Sequence, residues 1–205
     1  MKALVLLVAL AVLAAGCGST KKSAPPAKAK APVCAHLAGW QKLANQIHAP
    51  VYCPGWLPDP LTGQLGAVDN NLHSVSKDRS YLESWIWQDT DTPGLSGVLH
   101  VNLRGYPGVH GVPNCTTGGT KTENRVVKCF ANRVGTFSAN GIDATIDTVN
   151  QDADEWHIAM VWKANGGFYT LSEHVAAPLT PNQVTAYLKR ELRNLVLIRP
   201  ASAAT

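Results

Sequence analysis

Residues 155–174 read EWHIAMVWKANGGFYTLSEH, and this stretch decides the fold. Asn165-Gly166 falls between two runs of β formers. A two-residue type I′ turn needs positive φ at both central positions, which Asn and Gly tolerate, so the dipeptide predicts a tight β-hairpin. Upstream of it, Trp156, Ile158, Met160 and Trp162 alternate with His157, Ala159, Val161 and Lys163. That is the period-two pattern of a strand with one apolar face and one face expected to meet solvent.

Further strands are expected outward from this hairpin. Ser80 to Gln88, SYLESWIWQ, is dense in β formers, and Gly97 to Tyr106 sets Leu99, Val101 and Leu103 against His100, Asn102 and Arg104. Residues 71–76 and 125–130 are shorter candidates, and residues 135–150 hold two runs. Residues 35–47, AHLAGWQKLANQI, put Leu37, Trp40, Leu43, Ala44 and Ile47 at helical spacing, ended by Pro50. A second helix is expected from Pro181 to Leu197. Thr180 is its cap, Pro181 takes its first position and Gln183 completes a capping box. The expected fold is α+β: a meandering antiparallel sheet of five to seven strands, with an N-terminal and a C-terminal helix packed on one face.

The charge balance has to be located before it is interpreted. The chain of 205 residues carries 18 Lys and Arg, 14 Asp and Glu, and a formal net charge of +4. Lys2, Lys21, Lys22, Lys28 and Lys30 lie before residue 33, so the other 13 cations face all 14 acids, a balance of −1. The basic excess belongs to the N-terminus, and nothing in the remainder points to nucleic acid.

That N-terminus reads MKALVLLVALAVLAAGC. One cation precedes an apolar run too short to span a bilayer, which is the pattern of a signal peptide. Ala14-Ala15-Gly16-Cys17 resembles the lipobox of bacterial lipoproteins, with Ala14 where that family usually has Leu. The resemblance implies acylation of Cys17, cleavage before it and anchoring on the extracytoplasmic face of the cell membrane. Residues 1–16 are thus expected to be the signal peptide, and residues 17–32, rich in Ala, Pro and Lys, a tether. Residues 33–200 would form one globular domain, and residues 201–205 a frayed tail.

Cys34, Cys53, Cys115 and Cys129 remain, an even number for an oxidising compartment. Four cysteines allow three pairings, and sequence proximity favours Cys34–Cys53 and Cys115–Cys129.

No catalytic signature and no cofactor-binding motif is present. His100, His157 and His174 fall on expected strands and would bind zinc if they converged. No HxH or HxxxH spacing supports that, so they read as exposed or singly hydrogen-bonded residues. Ser96 lacks the GxSxG context of a nucleophile elbow. Tyr81, Trp85 and Trp87 share one parity of a strand. They form part of the core if that face meets the helices, and a candidate binding surface for glycan or lipid if it faces away.

From Val51 to Pro200 the chain resembles the small extracytoplasmic domains of unknown function carried by lipoproteins of high-GC Gram-positive type. The resembling pieces are Tyr52…Trp56-Leu57-Pro58, Arg79-Ser80-Tyr81, Trp156…Trp162…Gly166-Gly167-Phe168-Tyr169 and the closing helix. The resemblance implies a lipid-anchored binding or assembly module of the cell envelope, with a glycan, lipid or protein ligand. The alternatives are a secreted hydrolase or metal-dependent enzyme using the strand histidines, and a purely structural envelope lipoprotein.

Overall fold

The computed structural model describes residues 31–64, 74–88, 98–117, 125–150 and 156–201. The expected signal peptide and Cys17 lie outside the described residues. Helix α1 spans Leu37–Ile47 and is followed by β1, Val51–Pro54. After a 3-10 turn at Leu61–Gln64 come β2, Ser74–Val75; β3, Tyr81–Gln88; and β4, Val98–Pro107. Strands β5, Asn114–Thr117, and β6, Arg125–Lys128, form a separate antiparallel pair. The chain continues through β7, Asn132–Ala139; β8, Ile142–Asn150; β9, Trp156–Ala164; and β10, Gly167–His174. It closes with α2, Pro181–Arg193, and β11, Leu195–Ile198.

Seven strands form one antiparallel sheet in the order β2-β3-β4-β10-β9-β8-β7. Two meanders meet where β10 docks beside β4. The β9–β10 turn has φ 50° at Asn165 and 73° at Gly166. A second Asn-Gly turn joins β7 to β8, with φ 54° at Asn140 and 70° at Gly141. Both turns match the right-handed twist of their strands.

One face of the sheet carries the core. Met160 and Trp162 of β9, Tyr169 and Leu171 of β10, and Leu103 and Val101 of β4 are buried there beneath the helices. Helix α2 packs over β9 and β10 through Val184, Leu188 and Leu192. The α1 side chain Trp40 stacks on Trp85 of β3 at 6.2 Å. Tyr52 of β1 meets Trp162 and Tyr169 edge-on at 5.4 and 4.9 Å.

The structure shortens the second helix. Residues 181–193 are helical, and Asn194 ends the helix. Leu195–Ile198 then pairs antiparallel with β1, placing Leu195 opposite Pro54 and Ile198 opposite Val51. An apolar run such as LVLI extends a helical stripe equally well on paper. A waiting strand edge decides the matter in favour of β structure.

A correction also applies to the opposite face, expected to be solvated. Ala159, Val161 and Phe168 form a second buried cluster there, packed by Tyr106 at the end of β4, Val109 and Val112 just after it, and Phe130 after β6. Phe168 lies near both Tyr106 and Phe130, with ring centres 5.8 and 6.0 Å away.

Cys34 and Cys53 form a disulfide with Cα atoms 5.8 Å apart, stapling the start of α1 to β1. The side chain of Cys115, and with it the expected Cys115–Cys129 bridge, lies outside the described residues. The staple closes a loop over a sequence separation of 19. Replacing both Cys34 and Cys53 with Ser is expected to destabilise the domain by about 3 kcal/mol. Urea unfolding followed by tryptophan fluorescence measures it. An unchanged midpoint would show that α1 is held by packing alone.

Candidate functional site

A groove opens at the end of the sheet where β3 and β4 meet the loop entering α2. Trp87 and Leu99 come from the strands, and Ala176, Ala177, Pro178 and Leu179 from that loop. Tyr187 of α2 and Asp59-Pro60 complete a cavity of about 140 Å³. A cavity of roughly 150 Å³ accommodates a benzene ring, so the groove suits one ring or a short aliphatic group. Tyr187 is braced from behind by Trp56, with ring centres 6.0 Å apart, and Trp56 in turn carries the Arg190 guanidinium 4.1 Å from its ring centre. Asp59 is the one carboxylic acid among the lining residues, and it accepts a hydrogen bond from the Thr62 hydroxyl.

The aromatic triple Tyr81, Trp85, Trp87 divides. Tyr81 and Trp85 are 2 % and 0 % exposed and belong to the core, so they do not form a binding surface. Tyr81 lies flat across its ladder partner Gly105, where any Cβ would collide with the ring, and its hydroxyl accepts the Tyr52 N–H at 3.3 Å. Trp87, two residues beyond Trp85 at the strand end, is 37 % exposed and forms a wall of the groove.

Two acids stand behind the groove. Glu173 of β10 pairs with Val101, one step along the same face from Leu99, and Glu191 lies one turn beyond Tyr187 on α2. Both are fully buried, and none of their four carboxylate oxygens has a hydrogen-bond partner. Burial holds both carboxyls well above the usual carboxylate range, and for Glu173 the neighbouring Glu191 adds to it. Glu83, on the same face of β3, is pushed up to about 8 by burial. Glu173 and Glu191 are neutral in the folded protein at mildly acidic pH, because a charge without a partner there would be prohibitively desolvated.

On the other face the structure assembles what the sequence kept apart. His157 and His174 are direct ladder partners across β9 and β10, with ring centres 5.0 Å apart. His100 of β4 approaches His157 at 5.9 Å. The Nε2 of His157 is buried without a hydrogen-bond partner, and burial, aided by His174, His100 and Arg104, pushes its pKa down to about 4. Linear spacing such as HxH does not reveal this row, because its members come from three strands.

The buried acids carried a legible signal that residue type concealed. Glu173 continues the period of Tyr169 and Leu171, and Glu191 sits inside the stripe of Leu188 and Leu192. Comparison of the chain with protein-family models, with curated proteins and with solved structures finds no match.

Stability should therefore fall with rising pH. The unfolded acids release protons near 4.5, the folded ones only at higher pH. Their contribution is complete below the unfolded value and is lost as pH climbs through the folded ones, at up to about 1.4 kcal/mol per unit for each group. Melting scans from pH 5 to 9 (roughly the window set by the shifts) are expected to show that decline. Glu191→Gln should flatten it and raise the melting temperature on the alkaline side. Identical slopes for both proteins would refute the buried-acid account.

Proposed function

We propose that the protein is a lipid-anchored, extracytoplasmic binding module of the cell envelope, and that its ligand inserts an apolar or aromatic group into the groove between Trp87 and Tyr187. The observation that carries this reading is the groove itself. It is a concave, mainly apolar site with two aromatic walls and a single carboxylate, backed by a stapled core. Trp87, 37 % exposed, offers a ligand an aromatic face together with an indole N–H. Anchoring rests on the lipobox-like Ala14-Ala15-Gly16-Cys17 and on the basic tether beside an anionic surface.

A second disulfide, Cys115–Cys129, belongs to the same reading. The Cys129 N–H donates to the Pro113 carbonyl at 3.0 Å, and the β5–β6 ladder sets Cys115 opposite Val127. Such a bridge would hold the segment that covers Phe168 in an oxidising compartment.

Two measurements test the proposal. Benzyl alcohol serves as a probe in an NMR titration. It is expected to shift the Trp87 indole N–H and the amides of Ala176, Ala177 and Leu179, and Trp87→Ala should abolish those shifts without lowering the melting temperature. Shifts confined to other residues would overturn the site. Separately, Cys17→Ser should move the protein from the membrane fraction to the soluble one and end its labelling by palmitate. A variant still held in the membrane would overturn the anchor.

A further inference from the structure

The histidine row lies on the sheet face opposite the groove, and the binding reading makes no use of it. The turn at Asn165-Gly166 fixes the register that sets His157 directly across from His174. Opposite residues on neighbouring antiparallel strands hold their Cβ atoms about 5 Å apart, so both imidazoles reach one point above the sheet. The ring centres are 5.0 Å apart. Bonds of about 2.1 Å from two imidazole nitrogens to one ion, at a tetrahedral angle, place ring centres roughly 5 Å apart. The spacing of the ring centres therefore matches a shared ion. His157 supplies the independent sign that something is meant to be bound, because its Nε2 is buried without a partner.

We propose that His157 and His174 form a cross-strand chelate for a divalent transition metal, with Cu(II) and Zn(II) the best-suited ions. Imidazole favours these metals over Mg²⁺ and Ca²⁺, and Cu(II) heads the affinity order. Among the described residues no three His, Cys, Asp or Glu side chains stand as a ligand set. The site is therefore a two-imidazole one, with water filling the open positions. His100 flanks it, 5.9 Å from His157, and acts as a neighbour rather than as a required ligand. Arg104, on the same face of β4, contributes positive charge nearby, which keeps the affinity for a dication modest.

The test uses the full chain in detergent, titrated with CuSO₄ and ZnSO₄ by calorimetry and, for copper, by electron paramagnetic resonance. One ion per chain is expected, with nitrogen superhyperfine structure from two imidazoles. His157→Asn and His174→Asn should each weaken copper binding by at least about tenfold. His100→Asn and the distant His110→Asn should change it little. Unfolding of a variant does not decide the result, because the unaltered protein gives a second readout: Cu(II) should broaden the ring-proton NMR signals of His157 and His174 before those of His36, His48 and His110. Absence of stoichiometric binding, binding unaffected by both key substitutions in folded variants, or broadening centred on other histidines would each overturn the proposal. None of these outcomes bears on the groove, whose test is independent.

Discussion

The two-residue turn at Asn165-Gly166 fixes which side chains of the central hairpin face the helices. With positive φ at both positions the turn admits one register. Met160, Trp162, Tyr169 and Leu171 then point under α1 and α2, while His157, Ala159, Val161, Phe168 and His174 point the other way. A slip of one residue would exchange the two sets wholesale. Neighbouring contacts lock the turn in place. Asn165 donates to the Tyr52 hydroxyl at 3.4 Å and accepts from Arg199 at 3.2 Å, and the Tyr169 hydroxyl donates to the Pro50 carbonyl at 3.0 Å. The hairpin is thereby tied to the β1–β11 ribbon, which continues the wall of the core.

The same parity distributes the chemistry. Glu173 falls on the helix side and so must be neutral, and His174, its neighbour, falls on the far side among other imidazoles. The helix side holds the buried acids Glu83, Glu173 and Glu191, and the far side holds the imidazoles of His100, His157 and His174 together with Arg104 and the buried Asp147. Glu173 and Glu191 neutralise by keeping protons, and His157 by losing one. These are the two ways in which a dry interior accommodates ionisable groups.

Much of the architecture was legible in the sequence because local rules were strong where they applied. The strands expected on either side of Asn165-Gly166, the Asn-Gly turn itself and the Thr180–Gln183 capping box each appear in the structure. The pairing of Cys34 with Cys53 followed from proximity. Non-local relations were less readable. LVLI became a strand only because β1 offers an edge. Trp85 went to the core because Trp40 of α1 stacks on it, and Tyr81 because its ring covers Gly105 and its hydroxyl meets β1 at the Tyr52 N–H. The groove joins residues 59, 87, 99, 178 and 187, and the histidine row joins three strands. Neither has a footprint within any window short enough to read as a motif.

The Cys34–Cys53 staple has a mechanical meaning. The chain enters the domain at Ala31 to Val33, immediately before Cys34. A pull on that entering segment reaches the disulfide before it reaches Leu37, the first residue of α1. The load passes through the sulfur bridge into β1, which is hydrogen-bonded along its length to β11. Helix α1 lies inside the closed loop and carries none of it. A protein tugged by its amino end would thus keep its first helix intact, and the force would be borne by a covalent bond and a strand pair.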